Sequence, residues 1–182
     1  MKTVNYKTMR KTFLTLVFLL SANAFFGQQS LFDKFEDQDK VTAIVVNKKM
    51  FELMSKMKVN DKETQQYVDL LKKLDNLKVF VTENDAKANE MKSIADKYLK
   101  SASLEELMRV NQDGKNVKIY VRSGSKDSQV RELFMFVEGA PKQQTVLLSL
   151  TGDFDLNDIS ILTDKMNLPG GNELKKAAKA KK

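Results

Sequence analysis

The chain has no histidine, no cysteine and no tryptophan, and only two prolines and seven glycines in 182 residues. Without His or Cys it can build no Ser-His-Asp or Cys-His nucleophile, no thiolate and no disulfide. The usual ligand sets for zinc, haem and iron–sulfur centres are closed to it as well. Chemistry, if there is any, has to run on carboxylates, amines and hydroxyls. What is present is ordinary: 42% apolar and 30% charged residues, in the range of globular domains. The length suits one folded domain.

The first 27 residues have their own character. Lys2, Lys7, Arg10 and Lys11 open the chain with no acidic residue among them. An apolar run from Phe13 to Leu20 follows, and then Ser21, Ala22, Asn23 and Ala24. This is the order of a secretory signal peptide, and the apolar run is shorter than the roughly 20 residues a membrane span needs. Small residues at 22 and 24 suit a cut after Ala24, and a cut after Gly27 would leave Gln28 first; both stay open. With no Cys to carry a lipid, the expectation is a soluble periplasmic or secreted protein, not a lipoprotein and with no stable membrane insertion. The expected organisation is a signal at 1–27, one domain at 28–171 and a Lys-rich tail at 172–182.

The formal charge of +7, from 31 basic and 24 acidic residues, comes largely from the two ends. Setting aside the four basic residues of the leader, and the five lysines and Glu173 of the tail, leaves 22 basic and 23 acidic residues over 28–171. A nearly neutral body gives no footing for nucleic acid.

Along that body the patterns alternate between the two regular periods. VTAIVV (41–46) reads as a buried strand, and Asn47 as the cap of a helix with Met50, Leu53, Met54 and Met57 on its inward face. Asn60-Asp61 starts a second helix carrying Tyr67, Leu70, Leu71 and Leu74. LKVFVTE (77–83) is a strand, and Asn84-Asp85 starts a third helix with Met91, Ile94, Ala95 and Tyr98 inward. SLEELMRVNQ (103–112) fits either period. Asp113-Gly114 turns into a strand at 116–122, followed by strands at 129–138 and 144–152 and a helix over 155–166. The predicted class is α+β: a mixed, mostly antiparallel sheet of about six strands with helices packed on one face.

Three constellations invite chemistry. Asp153, Asp155 and Asp158 resemble the start of a calcium loop, but Asp158 stands where that loop needs Gly, so a helix cap is the better reading. Met50, Met54 and Met57 could offer thioethers to copper, yet methionines at helical spacing are usually core filler. Ser123, Ser125 and Ser128 share a loop with Lys126, which admits a Ser-Lys pair without any motif to support it. No phosphate-binding glycine loop is present, and Gly170-Gly171 reads as a helix stop. No metal or cofactor is expected.

The strand pair at 116–122 and 129–138 offers the candidate binding surface. If Val117, Ile119 and Val121 face the core with Leu133, Met135 and Val137, then Lys118, Tyr120, Arg122, Phe134 and Phe136 share the other face. That face would be an aromatic and basic platform for a protein or small ligand, or else a surface covered by a helix.

Several stretches together resemble one family: FDKFED (32–37), VTAIVVNKKMFELM (41–54), LKVFVTEN (77–84), SLEELMRV (103–110), VLLSLTGDFDL (146–156) and KMNLPGG (165–171). They are similar to the domain of unknown function 4252 family, small exported proteins of Bacteroidota. The resemblance implies a single domain and an envelope location, and it brings no activity, cofactor or catalytic residue. Some members carry a lipobox Cys, which this chain lacks. The expected function is a non-catalytic envelope domain binding an envelope protein partner or a small ligand. The alternative is a hydrolase using carboxylates or a Ser-Lys pair.

Overall fold

The computed structural model describes residues 31–180 apart from 113, 126, 127 and 142. The chain divides into two units, Met1–Lys34 and Phe35–Lys182. The signal sequence expected at 1–27 lies outside the described residues. Of the first unit, only residues 31–34 are described.

The second unit is built on six strands: β1 (Thr42–Asn47), β2 (Leu74–Thr82), β3 (Glu105–Gln112), β4 (Lys115–Ser123), β5 (Gln129–Glu138) and β6 (Thr145–Asp155). They form one sheet in the order β1-β2-β6-β5-β4-β3, antiparallel at every pairing. The α+β reading stands, and no parallel pair exists in this sheet. The ambiguous stretch at 103–112 is strand β3, an edge.

Five helices accompany the sheet: α1 (Lys48–Met54), α2 (Lys62–Leu71), α3 (Asp85–Ser101), α4 (Ile159–Met166) and α5 (Gly171–Ala180). Short polar side chains start three of them as expected. Asn47 accepts from the Met50 amide at 3.0 Å, Asp61 from Thr64 at 2.8 Å and Asn84 from Lys87 at 3.2 Å, each satisfying an amide that the first turn cannot. The extra donor of the Thr64 side chain and its amide together hold the Asp61 carboxyl below the usual range.

The helices occupy both faces of the sheet, where one face was expected. Val79, Leu148, Leu150, Leu133, Met135, Ile119 and Val121 form one face, covered by Phe51 of α1, Leu70 and Leu71 of α2, Ile159 and Leu162 of α4, and Leu174 of α5. The other face carries Phe80, Phe134, Phe136 and Leu147. Over it lies α3, with Met91, Ala95 and Tyr98 buried. Phe35 covers the β2 end of this face, its ring 5.6 Å from that of Phe80. The reason is topological. β3 runs in the same direction as β2 but sits at the far edge, so the link between them must cross the sheet, and α3 is that crossover.

Two local outcomes follow from close packing. The tail expected from 172 begins as helix α5, docked by Leu174, after a left-handed Asn167 and the Pro169-Gly170 turn end α4. At the other end, β2 and β6 meet through an irregularity between Leu74 and Asn76, and the Asp153 amide donates to the Lys73 carbonyl at 2.8 Å. A Cβ at Gly152 would lie 2.3 Å from that same carbonyl oxygen, which is backbone and cannot swing away. Gly152→Ala is therefore expected to lower stability by about 1–3 kcal/mol, seen as a lower urea midpoint at unchanged slope.

Candidate functional site

Lys118, Tyr120, Arg122, Phe134 and Phe136 do share one face, with Lys118 opposite Phe136, Tyr120 opposite Phe134 and Arg122 opposite Glu132. The face is not an open platform. Phe134 is fully buried and Phe136 is 3% exposed, because α3 crosses above them. Tyr98 of α3 lies with its ring 5.3 Å from that of Phe134, and its hydroxyl donates to the Glu132 carboxylate. Arg122 donates to the other Glu132 oxygen at 3.2 Å. Burial first, and then the adjacent Glu132 charge, push the Tyr98 hydroxyl far up from its ordinary value.

Lys118, Tyr120 and Arg122 keep partly exposed side chains. The Tyr120 hydroxyl donates to Glu106 of β3 at 3.0 Å, and Arg109 also donates to that carboxylate. The Arg109 bonds hold Glu106 below the usual carboxylate range, while burial and then Glu106 raise Tyr120. The structure thus splits the five residues: Phe134 and Phe136 are buried beneath α3, while Lys118, Tyr120 and Arg122 stay partly exposed, Arg122 reaching in to the buried Glu132.

A cleft of about 530 Å³ opens between the ends of β2, β5 and β6, lined by Lys48, Lys72, Lys73, Asp75, Ser128, Gln129, Asp153 and Asp155. It contains the loop serine singled out from the sequence. Ser128 Oγ donates to Asp155 Oδ2 at 2.7 Å, and Asp155 also accepts from the Asn157 amide and side chain at 2.8 Å each. Burial pushes the Asp155 carboxyl up, but these donors outweigh it and leave the group more acidic than usual. Asp155 is a cap, as expected, although of the 3-10 turn Leu156–Asp158 that precedes α4. A more acidic carboxylate that already accepts three bonds is a weak base for a serine. Of the lysines here, Lys48 pairs with Asp75 at 2.9 Å and Lys72 with Asp69 at 3.2 Å. Ser123 donates to Glu105 at 3.4 Å, and Lys126 lies outside the described residues.

The third feature was hidden by its own periodicity. Of the four residues read as an inward helical face, Met54 packs against the core, Met50, Leu53 and Met57 are exposed, and Phe51 is the fully buried anchor of α1. A seven-residue helix has room for one anchor, and the fully buried phenyl ring removes more apolar area from water than a thioether stripe. The large apolar side chains exposed among the described residues are Ile44, Val45, Met50, Leu53, Met57 and Val59, each 36–51% exposed. All six come from β1, α1 and the turn that follows. Apolar residues scattered singly need no explanation, whereas these six are gathered in one stretch of the chain.

Among the described residues no group of His, Cys, Asp or Glu could hold a metal ion, and no helix is long and apolar enough to cross a membrane. In comparison with known proteins, no curated protein and no solved structure matches the chain. One family model, described as a domain of unknown function (DUF4252), matches residues 35–162. That range includes the apolar segment, the cleft and the whole sheet.

Proposed function

Since this chain belongs to the domain of unknown function 4252 family, which assigns no activity, we propose from its own surface that it is an exported, non-catalytic domain of the cell envelope that binds a protein partner. The observation that carries this reading is the segment 44–59, where the exposed large apolar residues of the described chain are gathered. Leaving six such side chains in water is unfavourable for an isolated domain, at about 25 cal/mol for each Å² that could have been buried. A partner that covers them recovers that free energy.

Support for export is the basic, apolar and small-residue order of the first 27 residues. Support for a non-catalytic role is the state of the cleft groups. The Ser128 hydroxyl donates a hydrogen bond to a carboxylate that is itself a cap, and the lysines Lys48 and Lys72 are in ion pairs.

The test is affinity capture from envelope extract with the exported, tagged protein and its Leu53→Glu variant. Leu53 is half exposed, so the variant is expected to unfold at the same urea concentration as the parent. Recovery of the co-purifying partner is expected to fall about tenfold or more, as for truncation of a central contact residue. Equal recovery by the two proteins would remove this surface from the proposal.

A further inference from the structure

The two edges of the sheet are built differently. β3 carries Glu105, Glu106 and Arg109 and is bent by an irregularity between Glu106 and Met108. Charges and bulges of this kind keep an edge strand from pairing with other chains. β1 has neither. Its six residues, TAIVVN, include no charge and no proline, and they pair with β2 in unbroken register. Ile44 and Val45, which point to opposite faces, are both exposed. Among the described residues β1 has a strand neighbour on one side only, so its outer row of amides and carbonyls faces away from the sheet.

The surroundings of this edge are basic. Between residues 40 and 62 stand Lys40, Lys48, Lys49, Lys56, Lys58 and Lys62, against Glu52 and Asp61. Lys48 and Lys49 pair with Asp75 and Glu52, while Lys56 and Lys58 have no ion pair among the described residues. Asn47 ends β1 and caps α1, so the exposed Met50 and Leu53 continue directly from the edge.

We propose that β1 receives an extended segment of the partner protein as a seventh strand, with apolar side chains against Ile44, Val45 and Leu53 and acidic residues flanking them. This rests on the docking reading above and names its chemistry. Main-chain hydrogen bonds supply affinity in such strand addition, and alternate side chains supply selectivity. A second copy fits the edge less well. Antiparallel self-pairing centred on Ile44 and Val45 brings Lys40 of one chain toward Lys48 and Lys49 of the other, and like charges set opposite one another are destabilising. A lipid surface suits the lysines, but hydrocarbon offers the outer amides of β1 no acceptor.

The experiment is selection from a random display library of peptides about ten residues long, enough to span a short strand and both flanks. The purified exported protein is the bait, and selected peptides are then measured by fluorescence anisotropy. The expected result is enrichment of alternating apolar sequences with Asp or Glu flanks. Binding should weaken at least about tenfold in Val45→Lys, which places a charge on the edge, and also in Leu53→Glu. Urea midpoints of both variants should match the parent. No enrichment, enrichment of basic or helical amphipathic peptides, or affinity indifferent to Val45→Lys overturns strand addition. So does a stable dimer by sedimentation, or tight binding to vesicles containing anionic phospholipid. If strand addition fails while Leu53→Glu still abolishes partner capture, the docking surface stands without it. Loss of neither interaction in Leu53→Glu removes both.

Discussion

Phe134→Ala is expected to cost about 3–5 kcal/mol of folding free energy, the range for deleting a fully buried phenyl ring. Phe134 lies on β5 between two other central contributions: Tyr120 beside it on β4 and Ser149 beside it on β6, with Tyr98 of α3 above. Alanine would leave a cavity that α3 cannot close, since that helix is held at its neighbouring turns by Met91, Ala95 and the Lys92–Glu138 pair. Tyr120→Ala, on the same face but half exposed, is expected to cost far less, about 1 kcal/mol. Urea unfolding of the two variants separates the roles. Similar small losses at both positions would mean that Phe134 is not a core residue.

The second large effect belongs to the Tyr98–Glu132–Arg122 group. Glu132 is buried, and its two oxygens are taken by the Tyr98 hydroxyl and the Arg122 guanidinium. Arg122→Ala would leave a carboxylate beneath α3 with its positive partner gone, a loss of about 3 kcal/mol once the partial exposure of Arg122 is allowed for. Replacing both partners together, as Arg122→Met with Glu132→Leu, is expected to recover most of that loss, because an apolar pair carries no desolvation cost. A double variant no better than the single would show that the ion pair itself, not the orphaned charge, accounts for the stability.

The same group fixes a pH dependence. Burial and Glu132 raise the Tyr98 hydroxyl, so the folded protein holds that proton more tightly than the unfolded chain. The unfolded chain ionises first, near the ordinary tyrosine value of about 10. The stabilisation is therefore complete below about pH 10 and is lost as the pH climbs above it. Tyr98→Phe should be less stable than the parent at neutral pH and show a flatter decline in alkali.

Several features were legible without coordinates because they depend on neighbours in the chain. Asn47, Asp61 and Asn84 are caps in the structure because a short side chain and the amide three residues on are brought together by the first helical turn alone. The strands at 116–122 and 129–138 alternate as their pleat requires, and both lie within the observed β4 and β5. The inward face of α3 was likewise readable at Met91, Ala95 and Tyr98.

The candidate site was another matter, and α1 shows why. The period over 50–57 is satisfied by Met50, Leu53, Met54 and Met57, and it says that these share a side but not how much of that side the core covers. The phenyl ring at 51 is fully buried and Met54 packs beside the core, which leaves Met50, Leu53 and Met57 exposed. A cue existed in the flanks, where Lys48, Lys49, Lys56 and Lys58 surround the apolar positions, but lysine stems also border many core-facing helices. Of the two readings of the aromatic face, an open platform or one covered by a helix, the structure has the covered one. Alternation placed Lys118, Tyr120, Arg122, Phe134 and Phe136 together correctly, and only the crossover of α3 decided that the face is roofed.

What the chain settles by itself is therefore local and chemical. The lack of His and Cys restricts its chemistry, the caps and periods define its elements, and the charge resolves into basic ends around a near-neutral body. The tertiary structure alone decided that β3 lies at the far edge, that helices cover both faces, and that β1 is the other edge among the described strands, next to the exposed Met50 and Leu53 of α1. Those outcomes depend on residues far apart in sequence competing for the same buried space. Periodicity records which side chains point together, and only packing determines what they meet.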